Sequence, residues 1–224
     1  MNKLKTAVCL GLCLGVGMLG LSPARAAGNV KFYIAAEGVY SFSTLTAGGY
    51  NTQGGFNNKD SAADNVFRGG AHLGLEVGGV FSLDFGFHYR GGLAYTTDSY
   101  VDMFEHYYYE TEFDAYGLMF SVFVSPFPDY ALSPYIGAGI GAAMTKMTTD
   151  DTVVEGSIEQ TNMAWQLEAG LELQPTNHFG LKVGYRYLNM GTDDAPLRAG
   201  ISDSGNFTGA VKAHEITAGL RIKF

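Results

Sequence analysis

The sequence predicts an all-β chain whose mature part closes into an eight-stranded antiparallel up-and-down transmembrane β-barrel. Three observations carry that expectation. Eight segments alternate apolar with polar or small residues at a period of two. Nothing after the N-terminal leader forms the unbroken apolar run of about 18 residues that a spanning helix needs. Long connections alternate with short ones to the end of the chain.

The leader comes first. Lys3 and Lys5 precede an apolar run from Ala7 to Leu21, and Pro23, Ala24, Arg25, Ala26 and Ala27 follow. A charged start, an apolar middle too short and Gly-rich for an anchor, and small residues at the end form the layout of a cleaved secretory signal. Residues 1–26 are therefore read as a signal peptide and 27–224 as the barrel domain. Cys9 and Cys13 lie inside the apolar run, with apolar sequence continuing beyond them, so both leave with the leader and neither is a lipid-attachment site. An exported chain without cysteine must draw its stability from packing, a metal or a membrane. The 31 glycines and 13% aromatic residues favour the membrane, as tightly curved sheet with aromatic belts. Net charge is -8, and loss of Lys3, Lys5 and Arg25 takes it to -11, which argues against nucleic acid as a partner.

The first strand is expected near Phe32 to Phe42. The second, Phe67 to Val77, carries Leu73, Leu75 and Val77 on one face and Arg68, His72 and Glu76 on the other. The third sets Leu83, Phe85, Phe87 and Tyr89 against Asp84, Gly86, His88 and Arg90. The fourth, Tyr116 to Val124, is apolar on both faces in places, with Leu118, Phe120, Val122 and Val124 assigned outward. The fifth, Pro134 to Met144, is dominated by Gly and Ala, and its facing stays open. The sixth sets Met163, Trp165, Leu167, Ala169, Leu171 and Leu173 against Gln166, Glu168, Gly170 and Glu172. The seventh sets Phe179, Leu181, Val183, Tyr185 and Tyr187 against Lys182 and Arg186. The eighth sets Ile216, Leu220, Ile222 and Phe224 against Glu215, Thr217, Arg221 and Lys223.

A soluble sandwich or a lipocalin-like barrel alternates as well, and the polar face separates the cases. Here charge alternates with Gly, as expected where side chains crowd inside a narrow closed sheet, while the apolar face is nearly free of charge, as lipid requires. The connections agree. Thr44 to Asn65, Thr96 to Tyr107, Thr148 to Gln160 and Gly191 to Gly209 are long and read as outer loops. Gly78-Gly79, Pro126 to Ser133 and Pro175 to His178 are short and read as periplasmic turns.

The run Ser133-Pro134-Tyr135-Ile136-Gly137-Ala138-Gly139-Ile140-Gly141-Ala142 resembles the Pro-Tyr-x-Gly-x-Gly-x-Gly strand of small outer membrane barrels. That group includes the barrel domain of outer membrane protein A, the opacity-type adhesins and the bacterial surface antigens. The resemblance spans the mature chain in layout. It implies residence in the outer membrane of a Gram-negative bacterium, contact with membrane lipids and lipopolysaccharide, and a terminal strand whose Phe224 is read by the barrel assembly machinery.

The inward set is ionisable and of both signs: Glu37, Arg68, His72, Glu76, Asp84, His88, Arg90, Glu168, Glu172, Lys182, Arg186, Glu215 and Arg221. Buried charge must be paired or solvated, so these residues are expected to fill the lumen as a salt-bridge network. A narrow path for small ions is the competing reading. Catalysis fits less well, although enzymes resembling lipid A deacylase, lipid A palmitoyltransferase and the omptins use such barrels. His88 lies inside and midway along its strand, and no Ser sits beside a His in the deacylase-like pattern. His106 and His178 fall in connections, and His214 begins the last strand. The acidic groups Asp98, Asp102 and Glu105, and Asp150, Asp151 and Glu155, lack the Gly turn and terminal Glu of an EF-hand loop. No catalytic, cofactor or metal residue is assigned. The expected function is a surface-exposed structural, adhesion or interaction role, with a host or cell-surface ligand meeting the outer loops.

Overall fold

A sheet whose strands are apolar on one face and crowded with charge and glycine on the other can satisfy every backbone group in lipid only by closing. The chain does so in a computed structural model that describes residues 30–48, 57–58, 61–62, 66–102, 105–128, 130–151, 154–199 and 202–224. The leader assigned to residues 1–26 lies outside the described residues. The barrel strands are β1 (Val30–Gly48), β2 (Val66–Val77), β3 (Phe81–Asp102), β4 (Glu105–Val124), β5 (Leu132–Asp151), β6 (Val154–Thr176), β7 (Phe179–Ala199) and β8 (Ser202–Lys223). Each pairs antiparallel with its sequence neighbours, and β8 returns to β1 in a ladder from Tyr33↔Lys223 to Gly48↔Thr208 that closes the cylinder.

One end of the barrel is made of tight turns. Gly78 and Gly79 both hold positive φ between β2 and β3, a backbone that L side chains rarely adopt and that matches the twist of the strands they join. The β6–β7 turn is equally short, spanning Asn177 and His178.

The other end differs from expectation. Most of Thr96 to Tyr107, read as a loop, is strand: β3 and β4 stay paired from Thr96↔Glu110 to Asp102↔Glu105. The same holds for Thr148 to Gln160, paired as far as Asp151↔Val154, and for Gly191 to Gly209, paired as far as Ala199↔Ser202. In the first connection the short strands Asn57–Asn58 and Ser61–Ala62 pair with β3 and β1, and most of what remains of Thr44 to Asn65 lies outside the described residues. In these segments the apolar alternation that marks a strand fades while the hydrogen-bond ladder continues. Bulges near Gly91-Gly92 and at Met190-Gly191, opposite Val211, mark where the regular wall passes into these hairpins.

Facing follows parity. Ile34, Leu73, Phe85, Phe120, Val122, Leu167, Leu171, Val183 and Leu220 are exposed on the outer wall, and Leu75, Leu83, Leu118, Val124, Trp165 and Tyr187 are half-exposed there. The open question on β5 is resolved: Ile136 and Ile140 face out, at 64% and 61% exposure, and Tyr135 faces in, at 4%. Two aromatic groups flank this apolar band. Phe32, Phe81, Phe127, Tyr130 and Phe224 lie toward the turns, and Tyr40, Phe42, Tyr89, Tyr116, Tyr185 and Tyr187 toward the hairpins. Amphipathic rings favour such interfacial positions. The buried side chains lie inside the cylinder, where eight strands leave just enough width for side chains to fill.

Candidate functional site: the lumen

The lumen near the turns holds a four-membered ion cluster. Lys223 Nζ lies 2.6 Å from Glu76 Oε2 and 3.3 Å from Glu172 Oε1. Arg221 Nη1 lies 3.1 Å from Glu172 Oε2 and 3.6 Å from Glu76 Oε2, and its guanidinium covers the Tyr33 ring at 4.1 Å. The same sheet parity that points Arg221 inward carries Lys223 inward two residues later.

At mid-height Arg186 is the hub. Its Nη1 and Nη2 donate to the two Glu37 carboxylate oxygens at 2.7 and 2.8 Å, Nε donates to Glu168 Oε2 at 2.9 Å, and Nη1 reaches Glu215 Oε2 at 3.4 Å. A planar fork of five donors matches several carboxylates at once, which an ammonium cannot do. Arg90 holds Glu215 through Nε and Nη2 at 2.8 and 3.1 Å. Tyr135 donates to Glu168 Oε1 at 2.8 Å. Lys182 sits 3.6 Å from Glu168, with its Nζ 4.0 Å from the ring centres of both Phe123 and Tyr135. Removing one partner of a buried pair leaves an uncompensated charge, so groups that share partners in this way stand or fall together.

Beside the hub, β1, β2 and β3 bring Glu37, His72 and His88 together. His72 Nδ1 is 2.8 Å from Asp84 Oδ1, and Tyr33 donates to the other Asp84 oxygen at 2.8 Å. His72 Nε2 and His88 Nδ1 lie 3.5 and 3.2 Å from Glu37 Oε1, and the two rings meet edge to face at 4.9 Å. Arg68 is also buried inward on β2.

Toward the hairpins the chemistry changes. Phe113, Met119, Met147, Leu188, Met190, Val211 and four alanines form a continuous buried apolar cluster inside the cylinder. Near it Thr145 donates to Asp193 at 2.8 Å and Asn162 to the same oxygen at 2.6 Å.

The structure thus places all thirteen charged residues named from the sequence as the inward set on the lumen side, twelve of them in ion pairs or hydrogen bonds with one another and Arg68 buried among them. Sequence reasoning missed Tyr33, Tyr135 and Lys223 as members of the network, although each shares inward parity with a residue already placed inside. It also missed the apolar half of the lumen. Loss of alternation around Met119 and Phe123 was its only visible trace.

Comparison with known proteins agrees with this architecture. The family model described as "Outer membrane protein beta-barrel domain" matches residues 11–224. An uncharacterized protein of Brucella suis biovar 1 (strain 1330) is 26% identical over 243 residues, covering 86% of this chain and 84% of that protein. Neisserial surface protein A superposes with a TM-score of 0.51 at 17% identity, covering 86% of this chain and 97% of that one. The outer membrane protein OprG from Pseudomonas aeruginosa gives 0.51 at 12% identity, covering 87% and 95%. At these identities the structural likenesses show the fold.

Proposed function

The chain belongs to the outer membrane protein β-barrel domain family, and we propose that its task there is to anchor a surface-exposed set of paired hairpins for contact with lipopolysaccharide and with a host or neighbouring cell surface. The observation that carries this reading is the filled lumen. Charged pairs occupy one half and packed apolar side chains the other, so the side chains inside the cylinder are committed to holding the wall. Function then falls to the ends, where β3 through β8 extend past the aromatic belt as paired strands. Strand ladders present recognition residues on a stiffer support than free loops do.

In this reading the tight turns face the periplasm and the hairpins face outward, following the usual asymmetry of such barrels. Residues 1–26 act as the removed secretory signal, and the outward-facing Phe224, whose backbone N–H donates to Phe32 O at 2.8 Å, serves as the mark read by the assembly machinery. We assign the chain no catalytic role.

The test compares the full protein with a version whose outer connections are cut back to two-residue turns, both displayed on cells lacking other adhesins. Attachment to lipopolysaccharide vesicles or host cells should fall to background with the short version. Planar-bilayer recordings of the full protein should show no large, stable conductance. Frequent porin-sized openings, or attachment indifferent to hairpin length, would replace the anchor with a channel.

A further inference from the structure

We propose that Glu37, His72 and His88 form a binding site for one divalent transition-metal ion of the zinc class, buried in the lumen. Their ligand atoms all lie within 4.8 Å of one another, and ligands around a tetrahedral zinc stand about 3.3 Å apart, so small side-chain rotations complete the set. Two imidazoles and one carboxylate are a donor set that zinc uses repeatedly.

The surroundings resemble a supported site. The Nδ1 of His72 is committed to Asp84, which Tyr33 holds in turn, and this fixes the ring so that Nε2 points toward Glu37. A carboxylate behind a ligating histidine is the recurrent means of setting its tautomer and orientation. His88 is 1% exposed, and neither of its nitrogens makes a hydrogen bond of good geometry; Nε2 of His72 is in the same position. His72 Nε2 and His88 Nδ1 both face Glu37 Oε1, at 3.5 and 3.2 Å, without a well-formed hydrogen bond, and an ion shared among the three would satisfy these buried atoms.

The wall is cut back behind both rings. A Cβ at Gly86 would stand 2.8 Å from His72 Nδ1 and 2.9 Å from His88 Nε2, and one at Gly70 would stand 2.8 Å from His88 Nδ1. Bare backbone at those two positions is what lets both rings lie against the wall. A cavity of about 20 Å³, lined by Glu37, His72 and Asp84 and also by Lys182, Arg186 and Arg221 but not by His88, has room for one water-sized ligand beside the cluster. Arg186 competes for Glu37, but it also holds Glu168 at 2.8 Å and reaches Glu215 at 3.4 Å, so it keeps partners when Glu37 turns to a metal. Both histidines simply donating to Glu37 is the competing arrangement, and it binds no ion.

The experiment refolds the protein into detergent micelles with zinc chloride present, because the filled lumen slows later entry, and then measures retained zinc by dialysis and elemental analysis. The expected result is one zinc per barrel, lost in a His72→Gln, His88→Gln double variant, with affinity reduced about 10- to 100-fold by Asp84→Asn. Wild-type protein that retains no zinc at millimolar free metal, or a folded double variant that retains as much, overturns the proposal. Should the variants fail to show the heat-modifiable gel shift of a folded barrel, X-ray absorption of cobalt-loaded wild type decides. Scattering from two imidazoles supports the site, and oxygen-only coordination overturns it.

Discussion

The two halves of the lumen are filled by opposite chemistry. Near and below mid-height Arg186 binds Glu37, Glu168 and Glu215, Arg90 binds Glu215, and Lys223 and Arg221 share Glu76 and Glu172. Toward the hairpins Phe113, Met119, Met147 and Leu188 fill the space by contact alone. The difference lies in how each half tolerates loss. In the charged half Arg186, Arg221 and Lys223 each serve more than one carboxylate, so deleting one of them orphans several buried groups. In the apolar half no atom depends on a particular partner, and flexible methionines can move into a gap.

The largest effect should therefore come from the hub. Arg186→Met leaves Glu37 and Glu168 short of their main cation and is expected to cost about 3 to 5 kcal/mol in urea unfolding from lipid vesicles. A loss no greater than that of an exposed substitution would show that water enters and replaces the guanidinium.

In the apolar half, Phe113→Ala removes a ring that is 1% exposed and should cost about 3 kcal/mol, below the hub, because Met119 and Met147 relax into part of the cavity. A larger loss than that of Arg186→Met, read in the same assay, would reverse the ranking of the two halves.

The outer wall provides an independent scale. Leu167, 52% exposed on the lipid face and flanked in sequence by inward Gln166 and Glu168, should lose about 2 to 4 kcal/mol on mutation to Arg if it lies near the bilayer midplane. Matching stability of this variant in vesicles and in detergent would mean that the residue lies outside the hydrocarbon.

The smallest effect should follow a swap that keeps volume. Met119→Leu is expected to cost less than about 1.5 kcal/mol, whereas Arg186→Lys, conservative in charge only, should cost more because an ammonium cannot reproduce the fork. Equal costs would show that the hub acts through charge and not through geometry. Conductance sharpens the same contrast: either single variant should stay closed in planar bilayers, and only Arg186→Met combined with Phe113→Ala should open.

The sequence by itself determined the strands within the membrane and the direction each side chain takes. Lipid outside and a narrow lumen inside impose opposite demands on successive residues, and Leu167 beside Glu168, or Leu220 beside Arg221, records that demand directly. It determined less where those demands relax. Thr96 to Asp102 and Thr148 to Asp151 lack apolar alternation, so they read as loops although their backbones pair as strands. On β5, Gly and Ala leave little contrast between faces, and its direction becomes legible only in the closed sheet, where Tyr135 packs beside Phe123 with ring centres 5.8 Å apart and donates to Glu168. Which charge meets which was decided by the closed sheet alone. Glu37 and Arg186 are 149 residues apart in sequence and meet because β8 closes onto β1 and β7 follows β8. Glu37, His72 and His88 converge for the same reason: three neighbouring strands hold a register that no local pattern encodes, and curvature of an eight-stranded wall turns three inward vectors toward one point.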